Sequence, residues 1–281
     1  MNEFPPLPPV ADAPDDLLSG HLWLLELIDG RPLRFQLQDS GLLRVGDAET
    51  LYDDPHAIPL PFRCAVRHIR ESLDRDALRA AVDDVERVTF YGVATTRESV
   101  PYDLASMPPF LGTDVWAAED EAFRPPDAAD GIFRRLGLDP VNTFAREAHA
   151  RDFSVDTYEI PGSAWYDGPA AGVVIRNKQG HRGMVSGSSV PPSAPPPGSN
   201  EPGSTPSIDA LVTEDATQEQ IDEIAASLRA AEQPVAVDTV TDRLCATVGR
   251  HHPTAFLGAD SLDQAAFRSA VAEQVQRQLQ P

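Results

Sequence analysis

One stretch divides this chain before anything else in it can be read. Between residues 186 and 208, 17 of 23 positions are Pro, Gly or Ser. Proline removes amide donors, and Gly and Ser bring almost no apolar area, so no core forms there. Folding must happen on either side. We read residues 1–18, which are acidic and proline-rich, as a flexible arm. Residues 19–185 read as a mixed α+β domain, 186–208 as a Pro/Ser/Gly linker, and 209–281 as a small all-α C-terminal module of three helices. A chain of 281 residues suffices for one mid-sized core and one small one.

Charge sets the next limit. There are 44 Asp and Glu against 23 Lys and Arg, a net charge of −21, and Lys178 is the only lysine. A dense carboxylate surface nearly free of lysine is a habit of proteins from salt-saturated cytoplasm, where molar salt shortens the Debye length to about 3 Å. We therefore expect a halophilic, cytoplasmic protein. At low salt such a charge argues against nucleic acid; in molar salt a local arginine cluster can still hold phosphates, with little affinity from counterion release. No apolar run is long enough to span a membrane. Residues 1–16 have neither a basic region nor an apolar one, so no secretory signal is expected. Cys64 and Cys245 alone supply neither a disulfide framework nor a four-ligand zinc site.

Periodicity places the elements. His21–Ile28 reads as a strand, and Asp29-Gly30 as a hairpin turn leading to a return strand over Pro32–Gln38. A turn at Asp39–Gly41 then leads to Leu42–Val45, completing an antiparallel meander. Residues 61–86 read as helix in two stripes, with Asp74 or Asp76 as a cap between them. Arg87–Thr96, Pro109–Trp116 and Gly172–Arg176 have strand composition, and Asp127–Leu136 reads as a short helix ending at Gly137. Beyond the linker, Thr217-x-x-Gln220 and Ser261-x-x-Gln264 are capping boxes. Cys64 and His68 lie one turn apart on a helix, a spacing that could pair thiol with imidazole; we read Cys64 as a packing residue.

No phosphate loop, HExxH motif or nucleophile elbow is present, and no metal site is expected. Three segments carry a stronger signal: Leu25–Phe35 (LELIDGRPLRF), Phe90–Trp116 (FYGVATTRESVPYDLASMPPFLGTDVW) and Tyr166–Asn177 (YDGPAAGVVIRN). Their order and spacing resemble the ATP-dependent RNA ligases of the covalent nucleotidyltransferase superfamily, in particular archaeal RNA-ligase-like proteins. In that family the first segment reads E-K-x-D-G, the second contains F-G-E and later F-x-G-F-D-x-W, and the third reads E-G-V-V-I-R. The resemblance spans about residues 19–185. It implies an α+β nucleotidyltransferase (ATP-grasp-like ligase) fold of antiparallel sheets with helices.

The family's chemistry specifies its residues. A lysine at the end of the first strand attacks the α-phosphorus of ATP, giving lysyl-AMP and expelling pyrophosphate. Glutamates in the second and third segments hold magnesium or ribose, an aromatic ring stacks on adenine, and a later lysine neutralises phosphate. Here the nucleophile position is Leu27, the two glutamate positions are Val93 and Ala171, and the stacking position is Thr113. With a single lysine in the chain, no shift of register restores the nucleophile.

The resemblance with these departures implies a degenerate nucleotidyltransferase. Its vestigial nucleotide pocket comprises Asp29, Gly30, Arg34, Gly92, Thr113, Asp114, Gly172 and Arg176, and Lys178 and Arg182 are candidate anion contacts. No cofactor is expected, although active members use ATP and Mg2+. The partners implied are RNA ends or an active ligase paralogue. Two other readings stay open: an active ligase using Lys178 or His181 as an unrecognised nucleophile, and a structural interaction protein without ligand.

Overall fold

The computed structural model describes residues 1–187 and 206–279; the linker expectation falls for the most part outside the described residues. The chain divides into two compact units, Met1–Ala57 with Ala65–Ala194, and Ile58–Cys64 with Pro195–Pro281.

The first unit is built on two antiparallel sheets. The four-stranded sheet contains β1 (His21–Leu27), β8 (Thr143–His149), β9 (Gly172–Asn177) and β10 (Arg182–Ser186), in the order β10-β9-β1-β8. The six-stranded sheet contains β2 (Arg31–Leu37), β3 (Leu43–Gly46), β4 (Leu51–Tyr52), β5 (Val88–Ala94), β6 (Phe110–Ala117) and β7 (Ala122–Phe123), in the order β4-β3-β2-β5-β6-β7. Helix α1 (Leu60–Ser72) starts in the second unit and continues in the first, where α2 (Arg75–Ala81) and α3 (Pro126–Arg135) follow. Asp74 is the cap before α2, its side chain accepting from the Ala77 amide. Phe35, Phe90, Phe110 and Phe133 form a fully buried aromatic core, with Phe35 and Phe90 stacked at 4.8 Å.

The hairpin expected at Asp29-Gly30 is not formed, because β1 and β2 belong to different sheets. Both edges of β1 are already taken, by β8 and β9. Asp29 and Gly30 carry the chain from one sheet to the other. Gly30 is required there by crowding rather than by its φ: an added Cβ would lie 2.6 Å from Val93 Cγ1 and 2.8 Å from the Ala94 carbonyl. The turn at Gly41, with φ +84°, does join β2 to β3 as the sequence indicates.

The arm is also not loose. Leu17 is buried against Leu22, Leu24, Val173 and Ile175, with Val10 and Ala13 beside it. The Asn177 side-chain amide donates to the carbonyls of Asp16 and Leu17, and the Met184 amide donates to that of Pro8. The apolar side chains of Leu17 and Val10 pull the segment down despite its acidic and proline-rich composition.

Among its described residues the second unit contains four α-helices rather than three: α4 (Ile208–Asp215), α5 (Gln218–Ala230), α6 (Val237–His251) and α7 (Gln264–Leu279). The short α4, capped by Ser207, abuts the low-complexity stretch that hid it. Ile221, Leu228, Leu244, Val248, Phe267 and Val271 form the core, which Leu60 joins. Thr217 caps α5 as its sequence indicates, whereas the first amides of α7 bond to Asp263 instead of Ser261.

Candidate functional site: the space between the two sheets

Alternation along β1 decides what faces the six-stranded sheet. Leu22 and Leu24 pack in the outer cluster with Leu17 and Val173. Leu25 and Leu27 pack inward with Leu111, Val141 and Ala171. The structure therefore brings Leu27, Val93 and Ala171, far apart in sequence, into one apolar cluster. Leu27 lies opposite Gly172 across the β1–β9 ladder, and a Cβ on Gly172 would come 2.3 Å from the Val185 carbonyl and 3.0 Å from Leu27 Cδ2. Gly92 sits on β5 opposite Gly112 of β6.

This cluster is closed by the chain's own segment between β5 and β6. Val100, Tyr102, Leu104 and Met107 from that segment are all buried in it, and Trp165 and Tyr166 pack against it. Asp29 holds the segment in place: one carboxylate oxygen accepts from the amides of Ser99 (2.8 Å) and Val100 (2.9 Å). The Asp29 amide donates to Tyr102 Oη at 3.0 Å, and burial pushes the Tyr102 phenol above its ordinary pKa. Arg31 adds a forked pair with Glu98, at 2.7 and 3.3 Å. Asp29 is thus a local organiser, one of its carboxylate oxygens committed to the backbone of this segment.

Further along the same inter-sheet space the lining becomes polar. Asp114, 5% exposed, lies 2.8 Å from Arg176 and 2.9 Å from Arg182. Burial alone would raise the Asp114 carboxyl; the two guanidiniums outweigh it and hold the carboxyl below its usual range. Arg176 also donates to the carbonyls of Thr113 (3.0 Å) and Arg124 (3.4 Å). Arg182 lies over the Phe123 ring at 4.7 Å. Arg34 and Tyr91 are neighbours across the β2–β5 ladder, and Tyr91 faces Asp114 across β5–β6. Burial pushes the Tyr91 phenol up to about 12.

Lys178 and Arg182 are not brought together as an anion contact. Arg182 is buried on Asp114 through β10, while Lys178 stands exposed beyond β9 with its Nζ 2.8 Å from Glu147. The hydrogen bond and charge of the Glu147 carboxylate raise the Lys178 pKa, favouring the protonated amine. His181 Nδ1 lies 3.0 Å from Asp16 at the end of the arm.

Sequence reasoning missed Glu26. It is 1% exposed and takes bonds from Asn142 Nδ2 (3.0 Å), Ser163 Oγ (2.6 Å) and the Ala164 amide (3.2 Å). It ties β1 to the loops that carry Asn142 and Ser163. The signal was available, since Glu26 is a lone carboxylate inside the run HLWLLELI.

These groups do not fit ATP with magnesium. Leu27, Val93 and Ala171 offer neither an amine nor a carboxylate, and no cluster of metal-ligating side chains occurs among the described residues. A cavity of about 450 Å³ lies instead near α2, α3 and β5, lined by Leu78, Val82, Phe90, Val115, Ile132 and Leu136 among others; none of the sequence-predicted site residues borders it.

No protein-family model and no curated protein matches the sequence. Among solved structures, a Naegleria gruberi RNA ligase crystallised with ATP and manganese matches 67% of this chain with a TM-score of 0.50 at 12% identity. The fold is similar to that of the RNA ligases. An archaeal ATP-dependent RNA ligase aligns with 99% of this chain at a TM-score of 0.47 and 13% identity. The chain spans 57% of the Naegleria protein and 64% of the archaeal one. The mixed α+β architecture of antiparallel sheets is thus similar to the RNA-ligase fold.

Proposed function

We propose that this protein is a degenerate RNA-ligase-like nucleotidyltransferase that has lost self-adenylylation and serves to bind RNA ends or a protein partner. The observation carrying this reading is the apolar cluster in which Leu27, Val93 and Ala171 meet, closed by Val100, Tyr102, Leu104 and Met107. An isobutyl side chain has no lone pair with which to attack phosphorus. Charge in a catalytic pocket costs stability, and apolar replacement relieves that cost once catalysis is no longer selected. Neither alternative nucleophile belongs to this cluster: Lys178 Nζ lies 2.8 Å from Glu147, and His181 Nδ1 lies 3.0 Å from Asp16.

The test is incubation with α-labelled ATP and magnesium in molar KCl, followed by denaturing separation. No label should remain on the protein. A covalent AMP adduct would overturn the reading, and mapping its position would show whether Lys178 or His181 carries it.

A further inference from the structure

The first nine residues make contacts that their composition does not account for. The Asn2 carbonyl accepts from Arg34 Nη1 at 2.6 Å and from Tyr91 Oη at 3.2 Å. The Phe4 ring meets Tyr91 edge-on at 5.2 Å, and the Arg34 guanidinium lies 5.9 Å from the centre of the same ring. Pro8 and Pro9 run along β10, an outer strand of its sheet, with the Met184 amide donating to the Pro8 carbonyl at 2.9 Å.

What lies beneath is an unusual concentration of cations for a chain of charge −21. Arg34 and Arg176 are each 3% exposed, and the Nε of each is buried with no hydrogen-bond acceptor. Arg34 pairs with Tyr91 across β2–β5, and Tyr91 pairs with Asp114 across β5–β6, so Arg34 stands two strands from the carboxylate that Arg176 and Arg182 share. Asp114 is taken by Arg176 and Arg182. Arg34 is left with a neutral carbonyl and a ring face, both supplied by the arm. A buried cation without a counter-charge is costly, and a guanidinium fork matches an anion's oxygens better than a single carbonyl.

Unlike the later part of the arm, which is anchored by buried Leu17, the segment holding this position has no buried residue. Residues 5, 6, 8 and 9 are proline, which keeps it extended and deprives it of amide donors. We propose that residues 2–9 form a reversible strap over the inter-sheet cleft, and that the cleft beneath, lined by Arg34 and Tyr91 and backed by the Arg176–Asp114–Arg182 cluster, takes a phosphate-type anion when the strap lifts. The ligand class deepens the RNA-binding half of the proposed function and rests on it; the strap rests on the contacts alone.

Inorganic phosphate is the probe, titrated against chloride at matched ionic strength. Removing residues 1–8 should tighten phosphate binding about tenfold, the factor expected if the open state is populated about a tenth of the time in the full chain. Arg34→Gln in the shortened chain should abolish it. On the intact chain, phosphate should speed hydrogen exchange at the Met184 amide, which loses Pro8 as its acceptor. Competition by a 5′-phosphorylated oligoribonucleotide, but not by its unphosphorylated counterpart, assigns the anion to an RNA end; no competition by either assigns it to free phosphate. Equal phosphate affinity with and without the strap, no binding to the shortened chain, or unchanged Met184 exchange overturns the proposal. Covalent labelling by ATP would sink the functional reading and leave these outcomes unaffected.

Discussion

Asp114 is the residue whose loss should be felt most, and the reason is the company it keeps. It is the one carboxylate between Arg176 and Arg182, at 2.8 and 2.9 Å, and all three side chains are nearly inaccessible. Asp114→Asn preserves shape, removes the charge and replaces one acceptor oxygen by an amide donor. Two guanidiniums then stay buried without a counter-ion, which typically costs about 3–5 kcal/mol. Against a total stability on the order of 5–15 kcal/mol, that is a large fraction. The assay is favoured by a feature of the sequence: Trp23, Trp116 and Trp165 are the only tryptophans, and all lie in the first unit. Urea unfolding in molar KCl followed by tryptophan fluorescence therefore reports that unit alone. Replacing the whole group, Asp114→Asn with Arg176→Met and Arg182→Met, should recover much of the loss, because apolar replacement removes the desolvation penalty together with the attraction. The sign of the pH effect follows from the depressed carboxyl. Its stabilisation is complete above the ordinary unfolded aspartate pKa and is lost as pH falls through the lower folded one, so Asp114→Asn should lack that part of the acid limb. A loss below about 1 kcal/mol, the size of an exposed pair, would refute the reasoning. So would a triple variant no more stable than the single one.

Other expectations concern separate parts of the account. Glu26→Ala leaves the donors of Asn142, Ser163 and Ala164 without their acceptor and should cost on the order of 3 kcal/mol in the same urea assay, with Glu26→Gln milder. Gly30→Ala should cost about 1–3 kcal/mol by overpacking, and Val93→Ala should recover only part of it, since the Ala94 carbonyl still blocks the new methyl. With 44 acids to 23 bases, the melting temperature should rise between about 0.1 and 2 M KCl as repulsion is screened; a flat response would contradict the halophilic reading.

How much was legible beforehand depended on the range of the interaction involved. Strands β5, β6 and β9 and helices α2 and α3 are announced by local pattern, and Asp74 caps its helix for a reason contained in four residues. Strand β8 was not found because it is an edge strand whose Arg146 and Glu147 break the apolar alternation, and its pairing with β1 contains bulges. The missed β8 also explains the misread Asp29-Gly30 turn. Nothing near residue 29 reveals that β1 already has neighbours on both sides, although Asp-Gly after a strand is an ordinary hairpin signal. At the site, the resemblance identified which positions to examine. It did not indicate that Asp29 would be spent on the amides of Ser99 and Val100, or that Arg182 would turn inward to Asp114. Those are long-range pairings between polar groups, which periodicity does not encode.

The central claim is that the chain's own side chains fill the place where a ligase would hold its nucleotide. Titration calorimetry with ATP and magnesium in molar KCl tests it most directly. The account predicts no magnesium-dependent heat, because Leu27, Val93 and Ala171 supply no charged contact and Tyr102, Leu104 and Met107 close the space around them. Micromolar, magnesium-dependent binding would contradict it.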